Sequence, residues 1–267
     1  MQRTEINRSA DGAAEIEQAW ALVESGRPLL ITAGAGLGVD SGLPDFRGTG
    51  GLWRDGRSLE NRARPTWFDD DPAEAWAFYT ARREAYLATE PHAGFATLAR
   101  WASGDAFVFT SNVDGHFQRA GVDPDRIVEI HGSIHRHQCA TPCSRATWPA
   151  STPIDGLPRC PTCGGLARPN VCMFVDKRWI AIPSVLQGRR YDRWLGDRAA
   201  DLVVLELGAG TTVSNVRDEG ERLQALGATL IRVNPTEADG PDGTLSIPTT
   251  ALAFLSASAG SAGAPRP

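Results

Sequence analysis

The sequence predicts an α/β protein built on a doubly wound parallel sheet. Short apolar runs alternate along the chain with longer segments whose apolar residues recur at helical spacing. This alternation is typical of a parallel sheet with helices on both of its faces. Polar or glycine-rich clusters follow the apolar runs, and open α/β sheets bind their ligands at this edge. We therefore expect one site formed by segments that lie far apart in the sequence.

Composition and charge are those of an ordinary globular protein. The chain has 267 residues, 42% hydrophobic and 22% charged, which is enough for one large α/β domain or a domain with an insertion. The formal net charge of −5 gives no indication of a nucleic-acid-binding surface. No apolar run is long enough to span a membrane, and the N-terminal segment lacks the apolar core of a signal peptide. We therefore expect a cytoplasmic protein with neither a nucleic acid nor a membrane as partner.

The predicted helices combine apolar residues at helical spacing with a proline or glycine near one boundary, where these residues favour the start or end of a helix. In chain order they cover residues 13–25, 72–90, 92–102, a short stretch before Gly121, residues 215–226 and residues 249–255. The terminal segments 1–12 and 257–267 are polar or low in complexity, so we expect flexible tails there.

The predicted strands are apolar runs rich in β-branched residues, and a polar residue or a glycine follows each of them. In chain order they cover residues 29–31, 106–110, 127–130, 201–207 and 229–233. The clusters that follow them are residues 34–36, 111–114, 131–132, 208–212 and Asn234. Because the carboxyl ends of parallel strands meet at one edge of a sheet, we expect these clusters to lie together.

The segment after the first strand carries two unusual motifs. Residues 34–36 read Gly-Ala-Gly, and a strand that runs into such a turn is how doubly wound proteins hold a pyrophosphate. The full dinucleotide fingerprint is absent, because Val39 stands where its third glycine belongs. Residues 42–48 read Gly-Leu-Pro-Asp-Phe-Arg-Gly, which is poor material for a core. This loop could present an aromatic ring and a guanidinium to an anionic ligand.

Two cysteine pairs predict a structural metal site in an insertion at residues 134–170. Three residues separate the cysteines of the first pair, two separate those of the second, and sixteen lie between the pairs, which is close to zinc-ribbon spacing. The predicted ligands are Cys139, Cys143, Cys160 and Cys163. Four thiolates would complete a tetrahedral zinc site and leave no position open for chemistry. His135 or His137 in place of one cysteine is a less favoured alternative.

Taken together, these motifs resemble those of the sirtuins, a family of NAD-dependent protein deacylases. The order and spacing agree from about residue 14 to residue 236, and the run at 42–48 is the most specific match. The resemblance implies a Rossmann-like NAD-binding domain, residues 13–133 and 171–256, with a zinc-binding insertion at 134–170. It also implies that NAD and an acyl-lysine peptide meet in the cleft between these two parts.

The resemblance further implies roles for individual residues. Cofactor contacts are implied for Gly34, Ala35, Gly36, Asp45, Phe46, Arg47, Ser111, Asn112, Asp114, Gly208, Thr211 and Asn234. His131 is implied to be the general base, with Asn112 and Asp114 as the other catalytic residues. The acyl oxygen would attack the anomeric carbon of NAD, and His131 would then take a ribose hydroxyl proton. The products would be nicotinamide, free lysine and O-acyl-ADP-ribose.

One pair of residues bears on the choice of acyl group. Tyr79 and Arg82 resemble the pair that desuccinylating sirtuins place at the acyl pocket, where an arginine can bind a distal carboxylate through two hydrogen bonds. The alternative is that the two residues merely lie one turn apart on an amphipathic helix. The sequence does not separate these two interpretations.

Three departures from the family pattern leave other functions open. Ser111 stands where sirtuins have Gln, residues 208–210 read Gly-Ala-Gly instead of Gly-Thr-Ser, and Val175 stands where a Gly is usual. An NAD hydrolase or mono-ADP-ribosyltransferase on the same scaffold is therefore one alternative. A non-catalytic sensor of NAD or ADP-ribose is another.

Overall fold

The computed structural model describes residues 2–44, 63–151 and 156–257, with side chains from residue 12 onward within these ranges. Three residues expected at the site, Asp45, Phe46 and Arg47, lie outside the described residues. The strands are β1 Leu29–Ala33, β2 Ala106–Thr110, β3 Ile127–Glu129, β4 Gly132–Cys139, β5 Thr147–Pro149, β6 Ala167–Val171, β7 Val203–Leu207, β8 Thr229–Val233 and β9 Leu245–Ile247.

Six of these strands form one parallel sheet in the order β3-β2-β1-β7-β8-β9, as the sequence predicts for a doubly wound fold. The strand order reverses between β1 and β7, which lie side by side although most of the chain separates them. Crevices at such reversal points are where open α/β sheets bind ligands. The short strand β9, at the edge beside β8, was not predicted.

The helices in the described residues are α1 Gln2–Val23, α2 Gly36–Val39, α3 Trp67–Asp70, α4 Pro72–Ala88, α5 Gly94–Ala102, α6 His116–Arg119, α7 Ile182–Leu195, α8 Asn215–Ala225 and α9 Ala251–Ala257. Helix α1 begins at Gln2 and includes residues 2–12, whereas the sequence pattern predicts a helix only from residue 13. The segment is polar, but it is rich in residues of good helix propensity and contains no proline. None of the helices described is both long and apolar enough to cross a membrane.

The apolar strands are buried on both faces of the parallel sheet. In β1, Leu29 and Ile31 belong to a core that includes Trp20 of α1 and Leu98 of α5. Leu30 belongs to the core on the other face, which α7 and α8 cover. Complete burial of one such leucine contributes about 2–3 kcal/mol. Burial on both faces explains why these strands read as continuous apolar runs.

A buried network of charges fixes the loop that follows β8. Arg232 of β8 lies opposite Glu206 of β7 and pairs with it, although both side chains are fully buried. Its guanidinium also pairs with Glu221 and donates a hydrogen bond to the Asp239 carbonyl at 2.7 Å. A buried pair of this kind is costly to break from one side, because the remaining charge is left without a partner. The network therefore holds the β8–β9 loop against the sheet.

Three strands form a second, antiparallel sheet in the order β5-β4-β6. This sheet shares a core with α3 and α4, in which Trp76 donates an indole hydrogen bond to the Ala167 carbonyl at 2.9 Å. Strand β4 begins at Gly132, immediately after His131, and ends at Cys139. The chain therefore leads from the edge of the parallel sheet directly to the cysteine cluster.

Candidate active site

A cavity of ≈ 730 Å³ lies where five neighbouring parallel strands end. Its lining comes from the segments that follow β3, β2, β1, β7 and β8, together with α4 and the segment after β6. It is lined by all the cofactor, catalytic and acyl-pocket candidates that the structure describes: Gly34, Ala35, Gly36, Tyr79, Arg82, Ser111, Asn112, Asp114, His131, Gly208, Thr211 and Asn234. The expectation that these distant clusters lie together is met for these residues.

Two glycine loops form the floor of the cavity by packing backbone against backbone. The N–H groups of Gly34 and Gly36 donate to the carbonyls of Leu207 and Gly208 at 3.0 and 2.9 Å. A Cβ on Gly36 would lie 2.8 Å from the Gly208 Cα, and one on Gly208, where φ is +61°, would lie 2.3 Å from the Leu37 nitrogen. These glycines are therefore required by the contact between loops, and two of their N–H groups are already used within the protein.

Asn112 fastens the loop after β2 to the loop after β1. Its Nδ2 donates to the Gly34 carbonyl at 3.0 Å, and its backbone N–H donates to the Thr110 hydroxyl at 3.0 Å. The Thr110 hydroxyl in turn donates to the Ala33 carbonyl at 2.9 Å. Asn112 thus lines the cavity in a fixed orientation.

Asp114 is buried at the wall of the cavity and is held by its neighbours. One carboxylate oxygen, Oδ1, accepts a hydrogen bond from the backbone N–H of His116 at 2.8 Å. The Asp114 carbonyl oxygen lies 2.7 Å from Nε2 of His135. Gly115, with φ of +75°, supplies the left-handed turn between Asp114 and the short helix α6. The turn therefore keeps the carboxylate at the cavity instead of letting it extend into solvent.

His131 follows β3 and lies between two hydrogen-bond acceptors. Its Nε2 is 3.3 Å from Oδ1 of Asn215, and the Ser111 backbone carbonyl is a second acceptor beside the ring. Burial lowers the pKa of His131 below its usual 6.5, although these two hydrogen bonds oppose that shift. The imidazole is therefore neutral at pH 7. Because a neutral imidazole carries one N–H, it donates to one of these acceptors at a time, and the other ring nitrogen keeps a lone pair that can accept a proton.

Tyr79 and Arg82 project from α4 into the inner wall of the cavity. Both are buried, and the Arg82 Nε donates to the Tyr86 hydroxyl at 2.7 Å. Burial raises the pKa of Tyr79 to about 12, so its hydroxyl stays protonated at pH 7. The two residues therefore lie one turn apart on the helix, and both line the cavity.

The four paired cysteines converge as a metal site requires. Their Sγ atoms all lie within 4.8 Å of one another, with 3.7 Å between Cys139 and Cys163 and 3.6 Å between Cys143 and Cys160. Tetrahedral zinc with Zn–S bonds of about 2.3 Å separates its sulfur ligands by about 3.8 Å. The donor set therefore fits a structural zinc ion.

The two nearby histidines have other roles in this structure. His135 contacts the Asp114 carbonyl, as described above. The ring of His137 packs edge-on against Trp76, with 5.1 Å between the ring centroids. Within the described residues, the cluster of potential metal ligands consists of the four cysteines alone. The alternative in which a histidine replaces one cysteine is therefore not supported.

Among the residues of the cavity wall that the sequence analysis missed are two polar ones, Asn215 and Glu237. Asn215, which contacts His131, begins α8, and Glu237 lies in the loop after β8. Both lie three residues beyond a recognised cluster: Asn215 follows Thr212, and Glu237 follows Asn234. Extending those two clusters toward the next helix or turn would have included both residues.

Exposed apolar residues form part of the rim of the cavity, and one of them is strained. Phe174, Val175 and Val213 line the cavity and are exposed, Val175 most of all at 77%. Val175 has φ of 55°, a left-handed conformation that is unfavourable for a β-branched residue. The loop is held there by the buried Asp176, which pairs with Arg168 at 2.8 Å. This is the position where the family pattern has glycine, and glycine would adopt this φ without strain.

Replacing Val175 with glycine is expected to raise the free energy of unfolding by about 1 kcal/mol. Relief of left-handed strain contributes about 1–3 kcal/mol, and the greater entropy of glycine in the unfolded chain offsets about 0.5–1 kcal/mol of it. Urea denaturation would measure the change. Val213→Gly serves as the control, because Val213 lies on the same rim without a positive φ. Equal destabilisation by the two substitutions would show that Val175 is not strained.

Comparison with known proteins decides the family. Residues 34–187, more than half of the chain, match the model of the Sir2 family. The chain belongs to the Sir2 family. The resemblance to sirtuins that the sequence motifs indicate is thereby confirmed, and the fold class with it.

Relatives of this Sir2-family chain cover most of its length. It is 33% identical to an NAD-dependent protein deacylase of Aeropyrum pernix over 80% of this chain and 83% of the relative. It is 30% identical to an NAD-dependent protein deacylase of Aquifex aeolicus over 78% and 84% of the two chains. A solved Sir2 homologue in complex with NAD superposes with a TM-score of 0.71 at 25% identity, covering 92% of this chain and 94% of the other.

Proposed function

We propose that this protein is an NAD-dependent protein-lysine deacylase, which transfers an acyl group from lysine to ADP-ribose and releases nicotinamide. The observation that carries the proposal is the cavity, which joins a neutral imidazole to the two glycine loops in a Sir2-family chain. The named relatives from Aeropyrum pernix and Aquifex aeolicus, both NAD-dependent protein deacylases, support the same activity.

The cavity suits NAD in length and in lining. Adjacent parallel strands lie about 4.8 Å apart, so five of them span about 19 Å, comparable with an extended dinucleotide. The glycine loops at 34–36 and 208–210 would lie under the pyrophosphate at the reversal point of the sheet. Asn112 and Asp114 would hold the nicotinamide end, near His131. When bound, NAD supplies an electrophilic anomeric carbon and nicotinamide as the leaving group.

His131 would act as the general base. Its neutral ring can accept the proton of a ribose hydroxyl at the nitrogen that keeps its lone pair, and such proton transfer typically contributes 10²–10⁴-fold to the rate. Asn215 orients the ring through the contact at Nε2. The apolar side chains of Val113, Val171 and Met173 line the same cavity and limit the access of water to the reacting groups.

The acyl-lysine would enter through the apolar rim of Phe174, Val175 and Val213, with its acyl group directed toward α4. Arg82 then places a buried cation where the end of the acyl chain would lie. Burial of the cation favours an acyl group that ends in a carboxylate, because the ion pair forms away from bulk water. A succinyl group is therefore the proposed preference over an acetyl group.

Replacing Arg82 with methionine is expected to lower kcat/KM for a succinyl-lysine peptide by about 10–100-fold, since a hydrogen bond to a charged group contributes about 1.5–3 kcal/mol. The value for a butyryl-lysine peptide, which has a similar chain length without the carboxylate, should change much less. Arg190→Met removes the same charge outside the cavity, where Arg190 pairs with Asp125, and serves as the control. An equal loss with both peptides would mean that Arg82 has no role in acyl selection.

The experiment that tests the function is a product assay. The protein is incubated with NAD and with acetyl-, butyryl- or succinyl-lysine peptides, and the products are identified by mass spectrometry. O-acyl-ADP-ribose together with deacylated peptide is the expected result. Nicotinamide release that does not depend on an acyl-peptide would instead identify an NAD hydrolase or a mono-ADP-ribosyltransferase. Binding of NAD without any turnover would identify a sensor.

The two proposed parts of the protein correspond to its two sheets. Residues 13–133 and 171–256 would form the NAD-binding part, and they contain all six strands of the parallel sheet. Residues 134–170 would form the zinc module, and they contain the four clustered cysteines and most of the antiparallel sheet. The cytoplasm is the proposed compartment, because a reducing environment keeps cysteines available to a metal.

A further inference from the structure

A second cavity lies where α7 and α8 cover the other face of the parallel sheet. Its volume is ≈ 400 Å³, which is within the usual range for small-molecule sites. The sheet contributes Phe109 and Val128 to its lining, and the helices contribute Tyr191 and Glu219. The described residues that line it include none of those proposed above to hold NAD or the acyl-lysine. It is therefore a separate cavity, and its occupancy does not depend on the proposed function.

The middle of α7 contains a glycine that no packing contact requires. A Cβ built on Gly188 meets no atom of the described residues within 4 Å, whereas the glycines of the active-site floor have no such room. Glycine in the interior of a helix lowers helix stability relative to alanine, because it loses more conformational entropy on folding. Gly188 lines the second cavity, so its missing side chain leaves that cavity wider. A ligand that occupies this space would explain the unfavourable residue.

Aromatic and aliphatic side chains form most of the lining of the second cavity. The rings of Phe109, Trp179 and Tyr191 are among them, with 5.5 Å between the ring centroids of Phe109 and Tyr191. Aromatic rings pack well against a further ring in tilted or offset arrangements. A ligand with a flat aromatic body therefore matches this lining better than a flexible polar one.

One carboxylate at the second cavity is left without a partner among the described residues. Glu219 is neutralised by Arg222, whose Nε and Nη2 donate to it at 2.8 and 2.7 Å, and the Tyr191 hydroxyl also donates to it. Asp192 is exposed, and its carboxylate makes no ion pair or hydrogen bond with any residue that the structure describes. Asp192 follows Gly188 by one turn of α7, and both line the cavity. A positively charged group of a ligand would find its counter-ion there.

We infer that the second cavity is a binding site for a small aromatic amine, with its ring beside Gly188 and its ammonium group at Asp192. The ring would fill the space that the missing side chain leaves, and the ammonium group would pair with the carboxylate. Ile130, in the wall of this cavity, directly precedes His131. A bound amine would therefore lie next to the strand end that carries the proposed base.

The charge requirement is tested by ligand-observed NMR with tryptamine as the probe. The comparison is tryptophol, a neutral analogue with a hydroxyl group in place of the amine. Wild-type protein should bind tryptamine about fivefold more tightly, since an exposed ion pair contributes up to about this ratio. In Asp192→Asn the two dissociation constants should become equal. Asp197→Asn makes the same change in net charge at an exposed residue outside the cavity, and it should keep the wild-type ratio.

The position of the ring is tested by filling the cavity. Gly188→Leu should weaken the binding of tryptamine and of tryptophol by about tenfold or more, because the new side chain takes the place of the ring. Gly12→Leu is the matched control, since Gly12 is also a helical glycine with open space around its Cβ and lies in α1, outside the cavity. Thermal melting of both variants checks that the fold is retained.

Several outcomes would overturn the inference. Wild-type protein that binds neither compound, or binds both equally, would show that the cavity does not select an amine. Unchanged binding in Gly188→Leu would place the probe elsewhere, including in the active-site cavity. Val185 and Leu186 are exposed on the same helix, so a wild-type dimer that becomes a monomer in Gly188→Leu on analytical ultracentrifugation would make the cavity a contact between two copies of the chain. None of these measurements uses NAD or an acyl-peptide, so the inference and the proposed function fail independently.

Discussion

Replacing His131 with alanine is expected to lower kcat for deacylation by about 10²–10⁴-fold while changing NAD affinity little. The imidazole lines the cavity, is neutral at pH 7 and can take a proton, and Asn215 and the Ser111 carbonyl lie beside its ring. Removing it deletes the base without disturbing the glycine floor. Single-turnover kinetics and NAD calorimetry on the same variant separate the two effects. An alanine variant with nearly wild-type kcat would show that His131 is not the general base.

The pH dependence of kcat/KM gives a second test of the role of His131 as the general base. Burial lowers the pKa of His131 below 6.5, and the base acts in its deprotonated form, so kcat/KM should fall only as the pH drops through that lowered value. The hydrogen bond from His131 to Asn215 raises the pKa, so Asn215→Ala should move this acidic limb to still lower pH. A limb at an unchanged position would mean that another group controls it.

Removing the zinc ion is expected to have the largest effect on stability. Binding of zinc to four-cysteine or similar sites contributes about 10–16 kcal/mol of apparent free energy, which is as large as the whole stability of a typical domain. Cys160→Ala should therefore lose the metal and unfold the antiparallel sheet, as measured by zinc content and by denaturant unfolding. Because β4 starts directly after His131, deacylation should be lost with it.

The fifth cysteine provides the control for this experiment. Cys172 lies outside the cluster of four, so Cys172→Ala should retain one zinc ion per chain and the wild-type unfolding profile. Wild-type protein that is free of zinc and still fully stable would show that the four thiols have no structural metal role.

The parts of the fold that the sequence predicts well are those in which burial dictates composition. Five predicted strands occur within about two residues of their expected bounds, because a strand covered on both faces must be a continuous apolar run. Helix α7 was missed for the opposite reason. Its side chains are mostly polar, and Val185 and Leu186, two of its apolar residues, are exposed. The residues that it packs against the core, Tyr191, Trp194 and Leu195, are confined to its last turns, so no apolar stripe runs along its length.

The candidate site was predicted where its residues directly follow strands. The clusters ending at Asp114 and His131 were recognised because polar residues after an apolar run are conspicuous. Glu237 and Asn215 reach the cavity through the folding of longer segments, which no local pattern reports. The conformation of Val175 is a similar case, because a positive φ on a valine is visible only in the structure.

The contact between the two glycine loops has a consequence for how such a protein can change over time. A methyl group on Gly36 would clash with the Gly208 backbone, and one on Gly208 would clash with the Gly36 backbone. Neither glycine can therefore be replaced by a residue with a side chain while the two loops stay in contact. A second substitution cannot relieve the first, because both opposing surfaces are main chain. The glycines of the cavity floor therefore cannot be replaced one at a time without a clash. Adaptation to other acyl groups or other peptides is confined to the side chains of the walls.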